Sequence, residues 1–290
     1  MNFLGLSSFV LASPFTNTGL RHLAYVRDIG YDIFELCVEA PELLTADAVR
    51  SAAERVGLQI TVCGAFGVQR DVSHEDPAAR RAGIGYLRQC VDLAAVVGSP
   101  HVAGPMYSAT GKARMLPSKD REQQWTWAAT SLREVADYAA ERGVRLAIEP
   151  LNRFETDLIN TVEQGLRLCE RIGRDNVGLL LDTFHMNIEE KNIGDAIRQA
   201  GGKIFHFQAA ENDRGTPGSG HLPWNEIFEA LRDIDYRGAI VVESFLPTLR
   251  EIARAVSLWR PVAPSMDTLA RDGLAFLRSA LTYPQRHLIQ

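Results

Sequence analysis

The sequence predicts an α/β protein of the (β/α)8 barrel class, the TIM barrel. Three observations carry this expectation. Eight short apolar runs, bounded by Gly, Pro, Asn or Asp, alternate with helical patterns along the chain. The length of 290 residues suits eight β/α units in a single domain over 1–290. The first run leads into VLASPFTNTG, without the glycine-rich phosphate turn that a doubly wound nucleotide-binding sheet carries there.

The elements follow in order. Strand one, FLGLSSFV (3–10), precedes a helical pattern over 18–30 in which Leu20, Leu23, Ala24 and Val26 share helical spacing and Gly30 is the stop. Strand two, DIFELCVE (32–39), leads to a helix over 45–57, with Thr45 as its N-cap and Gly57 as its end. Strands three, QITVCGAF (59–66), and four, HVAGPM (101–106), are followed by long helices over 77–98 and 120–143. Strand five, RLAIEP (145–150), precedes a helix over 161–173 that starts with Thr161 and Glu163. Strands six, VGLLLDTF (177–184), and seven, IFHFQAAE (204–211), precede shorter helices near 193–200 and 224–234. Strand eight, GAIVVESF (238–245), is followed by a helical stretch over 248–281. Runs this rich in β-branched and large apolar residues are what strands buried on both faces require.

Composition excludes several function classes. The net charge is −5, from 31 Lys+Arg against 36 Asp+Glu, which is not the basic balance of a nucleic-acid binder. No apolar run approaches the ~20 residues of a membrane span. The opening MNFLGLSSFVLASPF lacks the basic segment of a secretory signal. Cys37, Cys63, Cys90 and Cys169 form no CxxC pair and fall in apolar patterns, so they are expected as reduced core thiols of a cytoplasmic protein.

In this barrel class, chemistry sits at the C-terminal ends of the strands. Strand five ends on Glu149, strand six on Asp182 followed by His185, and strand eight on Glu243. Strand seven reads FHFQ: Phe205 and Phe207 are expected to face one way and His206 and Gln208 the other, with Glu211 and Arg214 after them. A polar pair on an interior face is costly unless something binds it. Any one of these acids alone reads as a helix cap or the partner of an arginine. Three of them at one mouth would repel and drift toward neutrality unless a cation compensated. An oxygen-rich set suits Mg2+ or Mn2+, and His or Gln can complete it. Phe9, Phe66 and Tyr107 lie near strand ends and are candidates for the wall of a pocket, whereas Trp125 and Trp127 read as helix packing.

The segments LAIEPLNRFET (146–156), LLLDTFHMNIEEKNI (179–193), GSGHLPWNEIFEAL (218–231), IVVESF (240–245) and RAVSLWRP (254–261) resemble the D-tagatose 3-epimerase family. These are ketose 3-epimerases of free sugars such as D-psicose, D-tagatose and L-ribulose, within the xylose-isomerase-like barrel superfamily, and the likeness runs along nearly the whole chain. It implies that Glu149, Asp182 and Glu243 bind a divalent metal, Mn2+ first, with Mg2+ or Co2+ as alternatives. It also implies that Glu149 and Glu243 are the catalytic acid/base pair flanking carbon 3. Glu155 matches a residue at the C1/C2 end of the substrate, and His185 and Arg214 match residues that hold O2 and its neighbours. Relatives form homodimers or homotetramers, which is the ground for expecting one here.

One position departs from the family pattern. Its seventh strand reads like HFH, with the second histidine as fourth ligand; here that place is Gln208. A neutral amide oxygen leaves the charge of the set unchanged and is harder than imidazole, favouring Mg2+ or Mn2+. The substitution leaves a metal-dependent lyase or dehydratase, or a hydroxypyruvate-type isomerase, open on the same Glu/Asp/Gln/Glu set. The glycines of RGTPGSGHLPW (214–224) read as a turn, and no other basic cluster falls at the mouth, so a free sugar is expected rather than a sugar phosphate.

Overall fold

Eight parallel strands pair in chain order and close on themselves: β1 (Leu4–Ser7), β2 (Ile33–Val38), β3 (Gln59–Gly64), β4 (His101–Gly104), β5 (Arg145–Ile148), β6 (Val177–Asp182), β7 (Ile204–Ala209) and β8 (Ile240–Val242). Closure is made by β1 on β8, with Leu4 beside Ile240 and Leu6 beside Val242. The computed structural model describes residues 2–245, 248 and 250–282. All eight strands fall inside the runs read from sequence, but most end earlier. Ser8–Val10 leave β1 as a 3-10 turn, and Glu149 and Glu243 stand one residue beyond β5 and β8. Their N–H groups still donate to Gly104 and Ala209 carbonyls, at 3.1 and 3.2 Å, so each backbone stays tied to its neighbouring strand.

Ten helices are seen among the described residues: α1 (His22–Ile29), α2 (Ala46–Val56), α3 (Pro77–Val97), α4 (Ser118–Ala140), α5 (Val162–Ile172), α6 (Thr183–Glu189), α7 (Ile193–Ala200), α8 (Trp224–Asp233), α9 (Arg250–Ala255) and α10 (Met266–Thr282). Helices α2 and α5 end on Gly57 and Gly173, whose φ of 71° and 66° suits the residue without a Cβ. Thr161 caps α5 in a reciprocal pair with Gln164, three residues in, rather than with Glu163. The stretch expected to be helical over 248–281 holds two helices, separated by a segment with Pro261 and Pro264. Helix α6 has no forecast in the sequence; it starts at the end of β6, where the Asp182 side chain caps it.

The main apolar core lies between the barrel and its helices. A second, smaller cluster fills the barrel interior with Cys37, Cys63, Ala103, Ala147 and Leu180, beside Phe9 and Phe245. All four cysteines are free and buried. Phe205 and Phe207 do not share a face. The β6/β7 register shifts between Leu179 and Leu180, which leaves Phe205 as an extra residue. Phe205 packs against the interior cluster, whereas Phe207 lies in the main core near Tyr236. Phe66 and Tyr107 also belong to the main core, Phe66 edge-on to Tyr86 and Tyr107 donating to the Ile159 carbonyl, so of the three wall candidates Phe9 alone faces the barrel interior. Trp125 is buried on α4, as helix packing requires. Among the described residues, no helix is long and apolar enough to cross a membrane.

Candidate metal centre and active site

Four strand ends bring Glu149, Asp182, Gln208 and Glu243 to the barrel mouth, all four buried. Asp182 closes β6 and divides its oxygens. Oδ1 accepts from Phe184 N at 2.9 Å, and Oδ2 meets Arg214 Nη1. The same Nη1 donates to Glu243 Oε2 at 2.9 Å, and Glu243 Oε1 accepts from Gln208 Nε2 at 3.1 Å. Glu149 Oε1 lies 3.4 Å from His185 Nε2. Glu155 joins through Asn152, whose Nδ2 donates to Glu155 Oε1 at 2.8 Å. The residues named from sequence therefore form one connected cluster. For Asp182, helix capping and arginine pairing coexist with membership of that cluster.

Its electrostatics follow from burial. Burial, then repulsion from Glu243 and Asp182, raises Glu149 well above the usual carboxylate range. Burial likewise raises Glu243 and Asp182, against the opposing pull of Arg214. Burial also raises Glu155. Burial pulls Arg214 down, but the Asp182 and Glu243 carboxylates more than offset it and hold the guanidinium charged. Arg214 adopts φ 67°, which costs a residue bearing a side chain about 1 kcal/mol or more. Its side chain is sandwiched by the Phe184 and Phe245 rings at 4.0 and 5.1 Å.

Burial and the charge of Arg214 keep His185 neutral, well below its usual pKa. Glu149, Asp182 and His185 offer atoms that lie within 4.8 Å of one another, an arrangement that invites His185 as a metal ligand. The hydrogen bonds argue otherwise. His185 Nδ1 accepts from the Asn152 backbone N–H at 3.0 Å, so the proton of the neutral ring sits on Nε2, and that nitrogen has no lone pair to give. Arg214 Nη2 faces this Nε2 at 2.9 Å. Both are donors, and an oxygen set beside the pair, within reach of each, would accept from both.

The fourth ligand is better supplied by Gln208. Its Nε2 lies between two carboxylates, 2.8 Å from Glu35 Oε1 and 3.1 Å from Glu243 Oε1, so the nitrogen must point there. Its Oε1 is buried and has no hydrogen-bond partner. An orphaned carbonyl oxygen beside three buried carboxylates fits a hard divalent cation. The donor set Glu149, Asp182, Gln208 and Glu243 is thus chemically suited to one.

Three residues of this region have no role in the sequence reading. Glu35 on β2 is fully buried; its Oε2 meets His206 Nε2 at 2.5 Å, and the His206 ring packs on His101 at 4.5 Å. Asn152 fixes the His185 tautomer. Glu211 organises the β7–α8 loop by accepting from Leu222 N, Gly218 N and Trp224 Nε1 at 2.9, 2.9 and 2.8 Å. A signal existed for Glu35, an acid flanked by IF and LCV in a buried strand.

Comparison with known proteins agrees with this architecture. Residues 23–280 match the family model for the xylose isomerase-like TIM barrel. The chain is 36% identical over 274 residues to a probable ketose 3-epimerase of Synechocystis sp., covering 94% of this chain and 95% of that protein. It is 34% identical to the D-psicose 3-epimerase of Agrobacterium fabrum, over 90% of this chain and 92% of the other. A solved L-ribulose 3-epimerase superposes with a TM-score of 0.92 at 34% identity, covering 97% of this chain and 95% of that one. With such a barrel, such a mouth and likeness at this level along nearly its whole length, the chain belongs to the xylose isomerase-like TIM barrel family and, within it, to the ketose 3-epimerases.

Proposed function

We propose that this protein inverts carbon 3 of a free ketose, in the D-tagatose, D-psicose, D-fructose and L-ribulose class, through an enediolate. The observation that carries the reading is the convergence of three buried carboxylates, raised by burial, beside an amide oxygen without a partner. Glu149, Asp182, Gln208 Oε1 and Glu243 would hold a divalent cation, Mn2+ in preference to Mg2+ or Co2+. When bound, such a cation supplies Lewis-acid charge that stabilises the enediolate, an effect of several kcal/mol.

The chain's own groups do the rest. One of the pair Glu149 and Glu243 takes the proton from C3, next to the C2 carbonyl. The other returns a proton to the opposite face, and the configuration inverts. A carboxylate raised by burial above its usual range suits both halves of this exchange, typically worth ~10²–10⁴-fold. His185 Nε2–H and Arg214 Nη2 donate to the oxygen at C2 as it becomes negative, which also relieves their donor–donor contact. Glu155, held by Asn152, borders the C1/C2 end.

A free sugar is favoured over a phosphorylated one because five cations of the described mouth loops are already engaged. Arg70 donates to the Ala65 and Glu39 carbonyls, Lys112 to Asp71, Arg114 to Asp157, Arg153 to Glu189, and Arg214 to Asp182 and Glu243. A homodimeric or homotetrameric enzyme of the cytoplasm is the setting we infer, on the family likeness and the four free thiols.

Incubating the Mn2+-loaded protein with a panel of ketoses in D2O tests the reading by NMR. Inversion at C3 with a single deuterium at that carbon is expected. Deuterium at C1 or C2 of an aldose–ketose pair, or an unsaturated product, would instead assign an isomerase or a lyase to the site.

A further inference from the structure

Glu35 lies beneath the mouth, in the middle of β2, with no exposed surface. Its two oxygens face two different donors of β7: Oε2 meets His206 Nε2 at 2.5 Å, and Oε1 accepts from Gln208 Nε2 at 2.8 Å. An amide is nearly symmetric in shape, so packing alone does not decide whether Gln208 shows its oxygen or its nitrogen to the mouth. Hydrogen bonding does decide. Reversing the amide would set its oxygen against Glu35 Oε1 and Glu243 Oε1 together, replacing two hydrogen bonds with two repulsive contacts.

We propose that Glu35 is a positioning residue: by holding Gln208 Nε2 from below, it makes Gln208 Oε1 the atom presented to the metal. This rests on the metal-centre reading above. The contact also gives a fixed orientation to the amide that stands where the family pattern has a histidine. Glu243 restrains the same nitrogen from the side, but Glu243 is itself one of the proposed ligands, so Glu35 is the anchor outside the ligand set. Groups that orient a ligand in this way typically carry ~10–100-fold in metal affinity.

The test is the Mn2+ dissociation constant by calorimetry for the wild type, Glu35→Met and Glu35→Gln. Methionine keeps the length of the side chain and removes both acceptors. Glutamine keeps one acceptor for Gln208, and its amide can donate to His206 Nε2, because His206 Nδ1 has no partner and can carry the ring proton. Glu35→Met is expected to bind Mn2+ at least ~10-fold more weakly with its far-UV spectrum unchanged, and Glu35→Gln to stay much closer to the wild type. Equal affinities for Glu35→Met and the wild type would overturn the proposal, as would equal losses in both variants. Side-chain amide NMR of the wild type gives an answer that needs no variant to fold. Both Gln208 Nε2 protons should resist exchange with solvent, and rapid exchange would contradict the proposed anchor. If the wild type itself binds no Mn2+, the metal-centre reading fails, an outcome distinct from any of these.

Discussion

Glu149 and Glu243 are equivalent in sequence, each following an apolar run at a strand end, yet their surroundings differ. Glu243 accepts hydrogen bonds from Arg214 and Gln208, whereas the nearest polar contact recorded for Glu149 is His185 at 3.4 Å. Burial and neighbouring acids raise Glu149, so its ionised form costs folding free energy at any pH above the usual carboxylate range. An amide has no ionised form, and Glu149→Gln should therefore raise the melting temperature of the metal-free protein at neutral pH. Burial raises Glu243 too, so Glu243→Gln should also raise it, but by less, because it removes an anion from Arg214. Both should cut epimerase turnover by at least ~10²-fold with the circular dichroism spectrum preserved. Differential scanning fluorimetry beside a coupled sugar assay reads both effects, and substantial activity in either variant would refute the acid/base pair. The three acids were legible because strand ends are where this barrel class places its chemistry. Glu35 shares their apolar flanks but sits mid-strand, in the barrel interior, and emerged only once the register set Leu180 beside His206 and Asp182 beside Gln208.

At the scale of elements, alternation of apolar runs with glycine-terminated helical patterns carried the order of all eight strands. The boundaries were less legible, since sequence patterns do not show where the ladder ends: Glu149 and Glu243 continue an apolar run but lie outside it. Helix α6 escaped because TFHMNIE holds few strong helix formers and depends on the Asp182 cap. The β7–α8 loop shows how far an element can depend on one residue. Glu211 accepts from four N–H donors, those of Asn212, Gly218 and Leu222 in the loop that carries Arg214 and of Trp224 at the start of α8. Glu211→Ala would leave the buried Leu222 N–H and Trp224 Nε1–H without an acceptor, at a cost of about 2–6 kcal/mol, which lowers the melting temperature on the order of 10 °C. It should also weaken substrate binding through Arg214, visible as a raised KM. An unchanged melting temperature would show that this loop does not rely on Glu211.

Across the whole molecule, the barrel interior is polar at the level of Glu35 and His206 and carries its charge at the mouth, while small residues such as Ala103 and Ala147 line the space between. Three buried carboxylates share one guanidinium at that mouth, so without a cation they are pushed toward their protonated forms. On the proposed reading a divalent cation would complete the balance, held where the C3 chemistry needs it. The most direct measurement is anomalous diffraction from crystals soaked in Mn2+. A single peak bonded to Glu149, Asp182, Glu243 and Gln208 Oε1, at oxygen-ligand distances of roughly 2.0–2.3 Å, is the expected result. Ordered side chains at these four positions with no peak between them, at a Mn2+ concentration that supports turnover, would contradict it.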